Sequence, residues 1–274
     1  MIKMKKVMGT YNEISTLNYK LSDVIASCLN GLEIFLKHLK EYKPHSIPSF
    51  IANLNTKYGT SQDYHVSVDS NYDNLTKYPE LLKGSINYAL SLVNYEKYNK
   101  SPIDKEMDID AIDLIRTYTH FEYSFTVALI EAKIMSREEA IKYIQKMTNE
   151  ITHLRTDPNN YVESFKDSID RFQSGLGRWQ MQTSIAKIVD KKRMLYKVNK
   201  CKWGELLRDF DRELCFSFLC YQDFEGTKNI NPNFLLTRTK TILMGDDYCD
   251  FCYHDTRYDD DLTHPSEIEF EELG

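Results

Sequence analysis

The residue types that can do chemistry are concentrated late in this sequence. Five of the six cysteines lie between Cys201 and His254, with aspartates and arginines among them. Thiols and carboxylates close together in a chain are typical of nucleophilic catalysis, of ligand binding and of metal binding. We therefore expect the chemistry of the protein in this segment, whatever its substrate is.

Cys220 and Asp223 are the first candidate pair. Residues three positions apart on a helix share a face, so the thiol and the carboxylate would face the same space. A carboxylate alone raises the pKa of a neighbouring thiol, so the pair suits a cationic substrate. Asp223 would hold an amidinium or guanidinium group while the Cys220 thiolate attacks its carbon. The alternative interpretation is a buried cysteine beside a solvated aspartate.

Cys249 and Cys252 form a Cys-x-x-Cys pair within a predicted strand. A zinc site of the usual kind needs a second closely spaced pair, which the other cysteines do not provide. A redox pair of the thioredoxin type would begin a helix. Alternate residues of a strand face opposite sides, so these two thiols diverge. The spacing therefore disfavours both metal binding and redox chemistry by this pair.

Proton transfer and anion binding have their own candidates in the same segment. His254 lies four residues after Asp250, hence on the same strand face, and is the best-placed candidate acid or base. Arg238, between two threonines, is a candidate partner for a substrate carboxylate. For both, the alternative is a solvated side chain on the sheet surface. Asp246 and Asp247 are typical turn formers, and we predict no metal and no cofactor.

Amphipathic helices are predicted for most of the chain before this segment. Apolar residues at three- and four-residue steps predict a helix over residues 14–39, with Cys28 in its buried stripe. Residues 50–76 are polar and predict a loop, with one short strand at 64–68. Ser136 and Glu139 form a capping box that begins another helix. Further helices are predicted over residues 78–95, 109–132 and 158–174.

The C-terminal part predicts a mixture of short helices and strands. Helices are predicted over residues 203–214 and 215–224, and strands over residues 194–198, 234–243 and 248–254. The last two strands form a hairpin around Gly245. The fold class is therefore α+β. We expect a helical region at 1–190, an α+β unit with the cysteine motifs at 191–256, and an acidic, extended or loosely docked tail at 257–274, together one compact domain.

Length and composition bound the class of protein. The chain has 274 residues, 42% of them apolar and 28% charged, which is ordinary for a soluble globular protein. The net charge of −6 argues against a nucleic-acid binder. No apolar run is long enough to span a membrane, and no signal peptide is recognised. We expect a cytoplasmic protein with reduced cysteines that binds a small molecule, and the sequence leaves oligomerisation open.

Three pieces of the sequence, in this order, resemble the signature of the L-2-amino-thiazoline-4-carboxylic acid hydrolase family. They are VNKCKWGELL at residues 198–207, FLCYQD at 218–223 and LTRTKTILMGDDYCDF at 236–251. The family pattern is a cysteine before a helix with glutamate, a Cys-x-x-Asp, and an arginine–threonine strand leading into Gly-x-x-x-Cys-Asp-Phe. The sequence departs from it at Cys252 and His254. The closing hairpin is also similar to the end of four-vinyl-reductase-type ligand-binding domains.

The resemblance implies a hydrolase that opens a cyclic, amidine-like thiazoline with water to give an N-carbamoyl-cysteine. Under this hypothesis Cys220 attacks the amidine carbon, and Asp223 and Asp250 hold the cationic nitrogens. His254 transfers protons and Arg238 binds the substrate carboxylate.

Cys201 and Cys249 are positions of the family pattern, and the residues themselves leave their role open. They would line the pocket or complete a thiolate metal site with Cys220. Two rival hypotheses remain. One is a non-catalytic small-molecule-binding module of the four-vinyl-reductase type, with zinc on its cysteines. The other is a helical interaction protein whose cysteines belong to the core.

Overall fold

Two units make up the chain in a computed structural model that describes residues 5–12, 14–68, 72–154 and 157–274. One unit contains the N-terminal strand and residues 145–274, and the other contains residues 16–144. The strands are β1 (Lys5–Tyr11), β2 (Thr16–Lys20), β3 (Glu106–Asp110), β4 (Met181–Ile188), β5 (Arg193–Cys201), β6 (Phe234–Thr237) and β7 (Cys249–Asp255). With 54% helix and 18% strand, the predicted α+β class is confirmed.

The helices follow the apolar periodicity of the sequence. They are α1 (Leu21–Tyr42), α2 (Ile47–Tyr58), α3 (Pro79–Leu92), α4 (Ala111–Glu131), α5 (Arg137–Leu154), α6 (Phe165–Trp179), α7 (Lys202–Leu207), α8 (Arg212–Leu219), α9 (Gln222–Ile230) and α10 (Glu267–Glu271). The predicted capping box before α5 is confirmed, because the Glu139 amide donates to the Ser136 hydroxyl and the Ser136 amide donates to the Glu139 carboxylate. No helix within the described ranges has the length and apolar character needed to cross a membrane.

In the unit of residues 16–144, the helices α1 to α4 form an aromatic and aliphatic core. Phe35 on α1 stacks on Phe50 and contacts Phe125 on α4. Cys28 is buried in the same stripe, which confirms its interpretation as a core residue. Burial, and to a smaller extent the charge of Glu122, raises the pKa of its thiol.

Two boundaries in this unit differ from the predictions. The helix predicted from residue 14 begins only at Leu21, because Thr16–Lys20 forms β2 and pairs with β3. The loop predicted over residues 50–76 is wrong in its first part, which belongs to α2. Pro48 lies in the first turn of α2, where proline is tolerated. Residues 64–68 form no strand.

The other unit is built on an antiparallel sheet in the order β1-β4-β5-β7-β6. The predicted hairpin of β6 and β7 is confirmed, although β6 already ends at Thr237 and a short 3₁₀ helix, Ile242–Met244, leads to the turn. Gly245 there has φ of 108°, a conformation that favours glycine. The helix predicted to end at residue 174 continues to Trp179, so that Gly175 and Gly177 lie inside α6.

Alternation along β7 separates the two faces of this sheet. Cys249, Phe251 and Tyr253 belong to one buried cluster, which also contains Tyr196 and Val198 of β5 and receives side chains from α6 and α9. Cys252 belongs to a different cluster with Leu195, Phe270 and Leu273. The prediction that the two thiols of the Cys-x-x-Cys pair diverge is therefore confirmed.

The C-terminal segment covers the Cys252 side of the sheet. Phe270 of α10 is 1% exposed and Leu273 is fully buried, so the prediction of an extended or loosely docked tail is wrong. Its acidic residues concealed two apolar anchors that pack beside Tyr248 and Cys252. Polar contacts hold the segment as well, including an ion pair between Lys240 and Glu267.

Replacement of Phe270 by alanine should lower the free energy of unfolding by about 3 kcal/mol, as is typical when a buried phenylalanine is removed from a core. Ile268 on the same short helix is 66% exposed and supplies the matched control. Ile268→Ala should change stability by no more than about 0.5 kcal/mol. Urea denaturation measures both variants. Equal effects of the two substitutions would contradict the docked position of α10.

Candidate functional site

A cavity of about 570 Å³ lies in the unit of residues 145–274, on the Cys249 side of the sheet. Its walls come from α6, β4, β5, β7 and the junction of α8 and α9. Its lining contains five of the seven side chains that the sequence nominated, namely Cys201, Cys220, Asp223, Arg238 and Cys249. Aromatic side chains form much of the remaining wall, among them Phe172, Tyr196, Trp203, Phe251 and Tyr253.

Chain topology explains why residues so distant in sequence meet here. Val198 of β5 pairs with Cys249, so the end of β5 lies beside the beginning of β7. Cys201 is the last residue of β5 and the N-cap of α7. Cys220 ends α8, and Asp223 lies in the first turn of α9. The cavity is therefore lined by residues at the ends of helices and strands, whose side chains are not needed for packing inside those elements.

Arg238 holds Asp223 at the cavity wall. Its Nη1 donates to Asp223 Oδ2 at 2.8 Å, and its Nη2 donates to the Cys220 carbonyl at 2.9 Å. The guanidinium carbon lies about 5 Å from the centres of three phenylalanine rings, those of Phe216, Phe224 and Phe251. The Arg238 side chain is 2% exposed and that of Asp223 is 39% exposed. The carboxylate, and not the guanidinium, is therefore the group that the cavity presents to a ligand.

Burial shapes the acid–base properties of this pair and of Cys220. Burial raises the pKa of Asp223, and the charge and hydrogen bond of Arg238 oppose that rise. Burial raises the pKa of the Cys220 thiol well above its usual value, and the Asp223 charge raises it further, while Arg238 lowers it. Cys220 is consequently a neutral thiol at neutral pH.

The other two cavity thiols have backbone partners. Burial raises the pKa of Cys201, and hydrogen bonds from the amides of Gly204 and Trp203 oppose part of that rise. The Ile242 amide donates to Cys249 Sγ at 3.2 Å, while burial raises the pKa of Cys249 to about 12. These hydrogen bonds from backbone amides fix the positions of the two sulfur atoms in the cavity wall.

The structure does not bring Asp250 and His254 to this cavity. Both lie on the opposite face of β7, because they alternate with Cys249, Phe251 and Tyr253 along the strand. From that face, neither side chain contacts the space in which a substrate would have to be held and protonated.

Asp250 instead fixes the loop that follows Arg238. Its carboxylate accepts from the amides of Thr239 and Lys240 at 2.9 and 2.6 Å, and from the Thr239 hydroxyl at 2.5 Å. His264 of the C-terminal segment lies 2.9 Å from the same carboxylate. These contacts place the backbone on which the Arg238 side chain is mounted.

His254 is 1% exposed and its Nε2 lies 2.9 Å from the Thr237 hydroxyl, which also contacts His264 Nδ1 at 2.9 Å. Burial first, and then the positive charge of Arg193, lowers the pKa of His254. The imidazole is thus buried and hydrogen-bonded to a threonine on the face of the sheet opposite the cavity.

Metal binding was one expected role for the thiols. Across the described ranges, no three His, Cys, Asp or Glu side chains are arranged so that they could hold a metal ion. The hypothesis of a thiolate site formed by Cys201, Cys220 and Cys249 therefore has no geometric support.

Sequence reasoning missed several cavity residues. Tyr196 donates to the Ser184 hydroxyl at 3.0 Å and accepts from Gln182, both on β4. Tyr253 shares the face of Cys249, so strand alternation carried a signal for it. Arg171 enters the lining from α6, and nothing in its local sequence distinguishes it from a surface arginine.

Comparison with known proteins supports the resemblance found in the sequence. A family model described as L-2-amino-thiazoline-4-carboxylic acid hydrolase matches residues 118–253, which contain all three sequence pieces. The match therefore confirms the family and indicates a hydrolase. Searches of curated proteins and of solved structures each gave no match.

Proposed function

We propose that the protein hydrolyses a small cyclic amidine in this cavity and so opens its ring. The chain belongs, through residues 118–253, to the L-2-amino-thiazoline-4-carboxylic acid hydrolase family. The observation that carries the proposal is the pairing in one cavity of the Cys220 thiol with a carboxylate, Asp223, that Arg238 holds in place. A nucleophile beside an anion suits an electrophile that is itself cationic.

Substrate binding would change the charge balance around Cys220. An amidinium at Asp223 compensates the carboxylate charge that raises the pKa of the thiol. A carboxylate in the wall of a largely apolar cavity also gains more from a cationic partner than one on the open surface, because the surrounding dielectric is lower. The substrate would thus create the conditions under which Cys220 loses its proton.

The reaction would proceed in two halves. Asp223 takes the Cys220 proton, and the sulfur adds to the amidinium carbon. The adduct collapses by breaking the ring carbon–sulfur bond, and the departing ring sulfur takes the proton from Asp223. Water then adds to the same carbon, and its proton passes through Asp223. Cleavage of the bond to Cys220 returns that proton to the sulfur and regenerates the thiol. The second proton of the water leaves to solvent, and a neutral carbamoyl group remains on the substrate nitrogen.

Incubation with 2-amino-thiazoline-4-carboxylate tests the proposal, because ring opening releases one new thiol for each product formed. A colorimetric thiol assay should show multiple turnovers, and mass spectrometry should show substrate plus one water. The Cys252→Ser variant is the matched control, since that thiol lies on the other face of the sheet. Absence of turnover, with stoichiometric zinc in the purified protein, would instead support the ligand-binding hypothesis.

A further inference from the structure

The cavity needs a cation other than Arg238 if its substrate carries an anion. Arg238 uses Nη1 on Asp223 and Nη2 on the Cys220 carbonyl, and three aromatic rings surround its guanidinium. A substrate carboxylate that took these nitrogens would displace Asp223 from the position on which the proposed function depends. Arg238 is therefore a positioning residue for Asp223.

Arg171 supplies the second guanidinium. It lies on α6, and among the described residues that line the cavity it is the basic side chain besides Arg238. Within the described part of the chain, its guanidinium makes one hydrogen bond, in which Nη1 donates to the carbonyl of Asn160. That bond fixes the orientation of the planar group and leaves Nε and Nη2 as donors.

We propose that Arg171 binds an anionic group of the substrate, a carboxylate in the simplest case, while Asp223 binds the cationic end. A guanidinium with two remaining donors matches the geometry of a carboxylate. One acidic and one free basic group in a largely apolar cavity select a ligand that carries both charges. This inference rests on the proposed function for the identity of the cationic end, but the anion site can be tested without turnover.

Alkylation of Cys220 by two reagents of equal size provides that test. In each case the thiolate forms a bond to carbon and iodide leaves, while the thiol proton goes to solvent. Iodoacetate carries a carboxylate and iodoacetamide does not. Mass spectrometry of the Cys220 peptide gives both rates, and their ratio reports attraction of the anion. Any change in the pKa of Cys220 affects both reagents alike and cancels in the ratio.

Arg171→Gln should lower the ratio of iodoacetate to iodoacetamide rates about tenfold, the size of one lost hydrogen bond between charged groups. Arg171→Lys keeps the charge and should retain part of the preference. Lys166→Gln removes a positive charge from an exposed position on the same helix and should leave the ratio unchanged. An unchanged ratio in Arg171→Gln, or an equal fall in Lys166→Gln, overturns the assignment.

Turnover separates this inference from the proposed function. If the protein opens 2-amino-thiazoline-4-carboxylate, Arg171→Gln should raise its KM about tenfold with little change in kcat, and should not affect 2-amino-thiazoline, which lacks the carboxylate. If wild-type protein opens neither compound but the alkylation ratio falls in Arg171→Gln, the proposed function fails and the anion site stands. If wild-type protein turns over and Arg171→Gln changes neither the ratio nor KM, the anion site fails and the proposed function stands.

Discussion

Replacement of Cys220 by serine should lower kcat for ring opening about 10⁴-fold or more, the loss expected when the nucleophile of a covalent mechanism is removed. Serine keeps the size and the hydrogen-bonding capacity of the side chain but replaces a thiol by a far weaker acid. The loss should appear in kcat and not in KM, because binding at Asp223 remains. Steady-state kinetics with 2-amino-thiazoline-4-carboxylate measure both constants.

Two other cysteines provide controls of different strictness. Cys249→Ser changes a thiol inside the same cavity, whose sulfur accepts from the Ile242 amide. Its turnover should remain within about tenfold of wild type, because serine can accept the same hydrogen bond. The Cys215→Ser substitution, at a buried position in α8, shows how much of the loss is due to general damage to the fold. If Cys220→Ser kept full turnover while Cys249→Ser abolished it, the nucleophile would be misassigned.

The pH dependence of Cys220 gives the same hypothesis a second test. Burial, and then the charge of Asp223, raises the pKa of this thiol, so the free protein should react slowly with iodoacetamide at neutral pH and faster as pH rises. A saturating cationic substrate compensates the charge of Asp223 and so lowers the pKa of Cys220 again. Turnover should therefore be measurable at pH values where the unliganded thiol is still unreactive. Alkylation as fast as that of a free cysteine at neutral pH would contradict this view of the cavity.

Sequence reasoning led to the candidate site because the residues that line the cavity are of rare types in a short stretch. Cys201, Cys220 and Cys249 stand out in a chain with few cysteines, and all three line the cavity. Helix α4 was predictable for the same kind of reason, since its apolar residues repeat at helical spacing over a long run. Residue type and periodicity are local properties, and the sequence states them directly.

The face on which a residue lies is a different kind of information. Alternation alone showed that Asp250 and His254 share a face and that Cys249 lies opposite them. The expectation that all three serve one site ignored this constraint, and the structure separates them across the sheet. Once Cys249 is placed in the cavity, strand geometry leaves Asp250 and His254 outside it.

Pairing between distant residues was beyond local reasoning. Arg238 was expected to meet a substrate carboxylate, whereas the fold gives it Asp223 of α9 as a partner. Similarly, the acidic composition of the last residues suggested solvation, while Phe270 and Leu273 dock in an apolar cluster. In both cases the deciding partner is many residues away, and only the tertiary structure brings it into contact.

Asp223→Asn is expected to separate substrate binding from thiol reactivity, because the carboxylate does two opposite things. It attracts the amidinium and accepts protons, so its loss should lower kcat/KM about 10³-fold. Its negative charge also raises the pKa of Cys220, so its loss should lower that pKa and leave the positive charge of Arg238 uncompensated. The variant should therefore turn over poorly and yet be alkylated several-fold faster by iodoacetamide near pH 8.

Glu225→Gln on the same helix is the matched control, since it removes a carboxylate that pairs with Lys228 outside the cavity lining. It should leave both turnover and alkylation close to wild type. If Asp223→Asn lost turnover while its Cys220 was alkylated more slowly or at the same rate, Asp223 would not act on the thiol through its charge. The opposite movement of the two rates is the specific signature, because simple unfolding would expose Cys28 and Cys215 to alkylation as well. Faster alkylation of Cys220 together with lower turnover is the result expected if a cationic substrate at Asp223 normally lowers the pKa of Cys220.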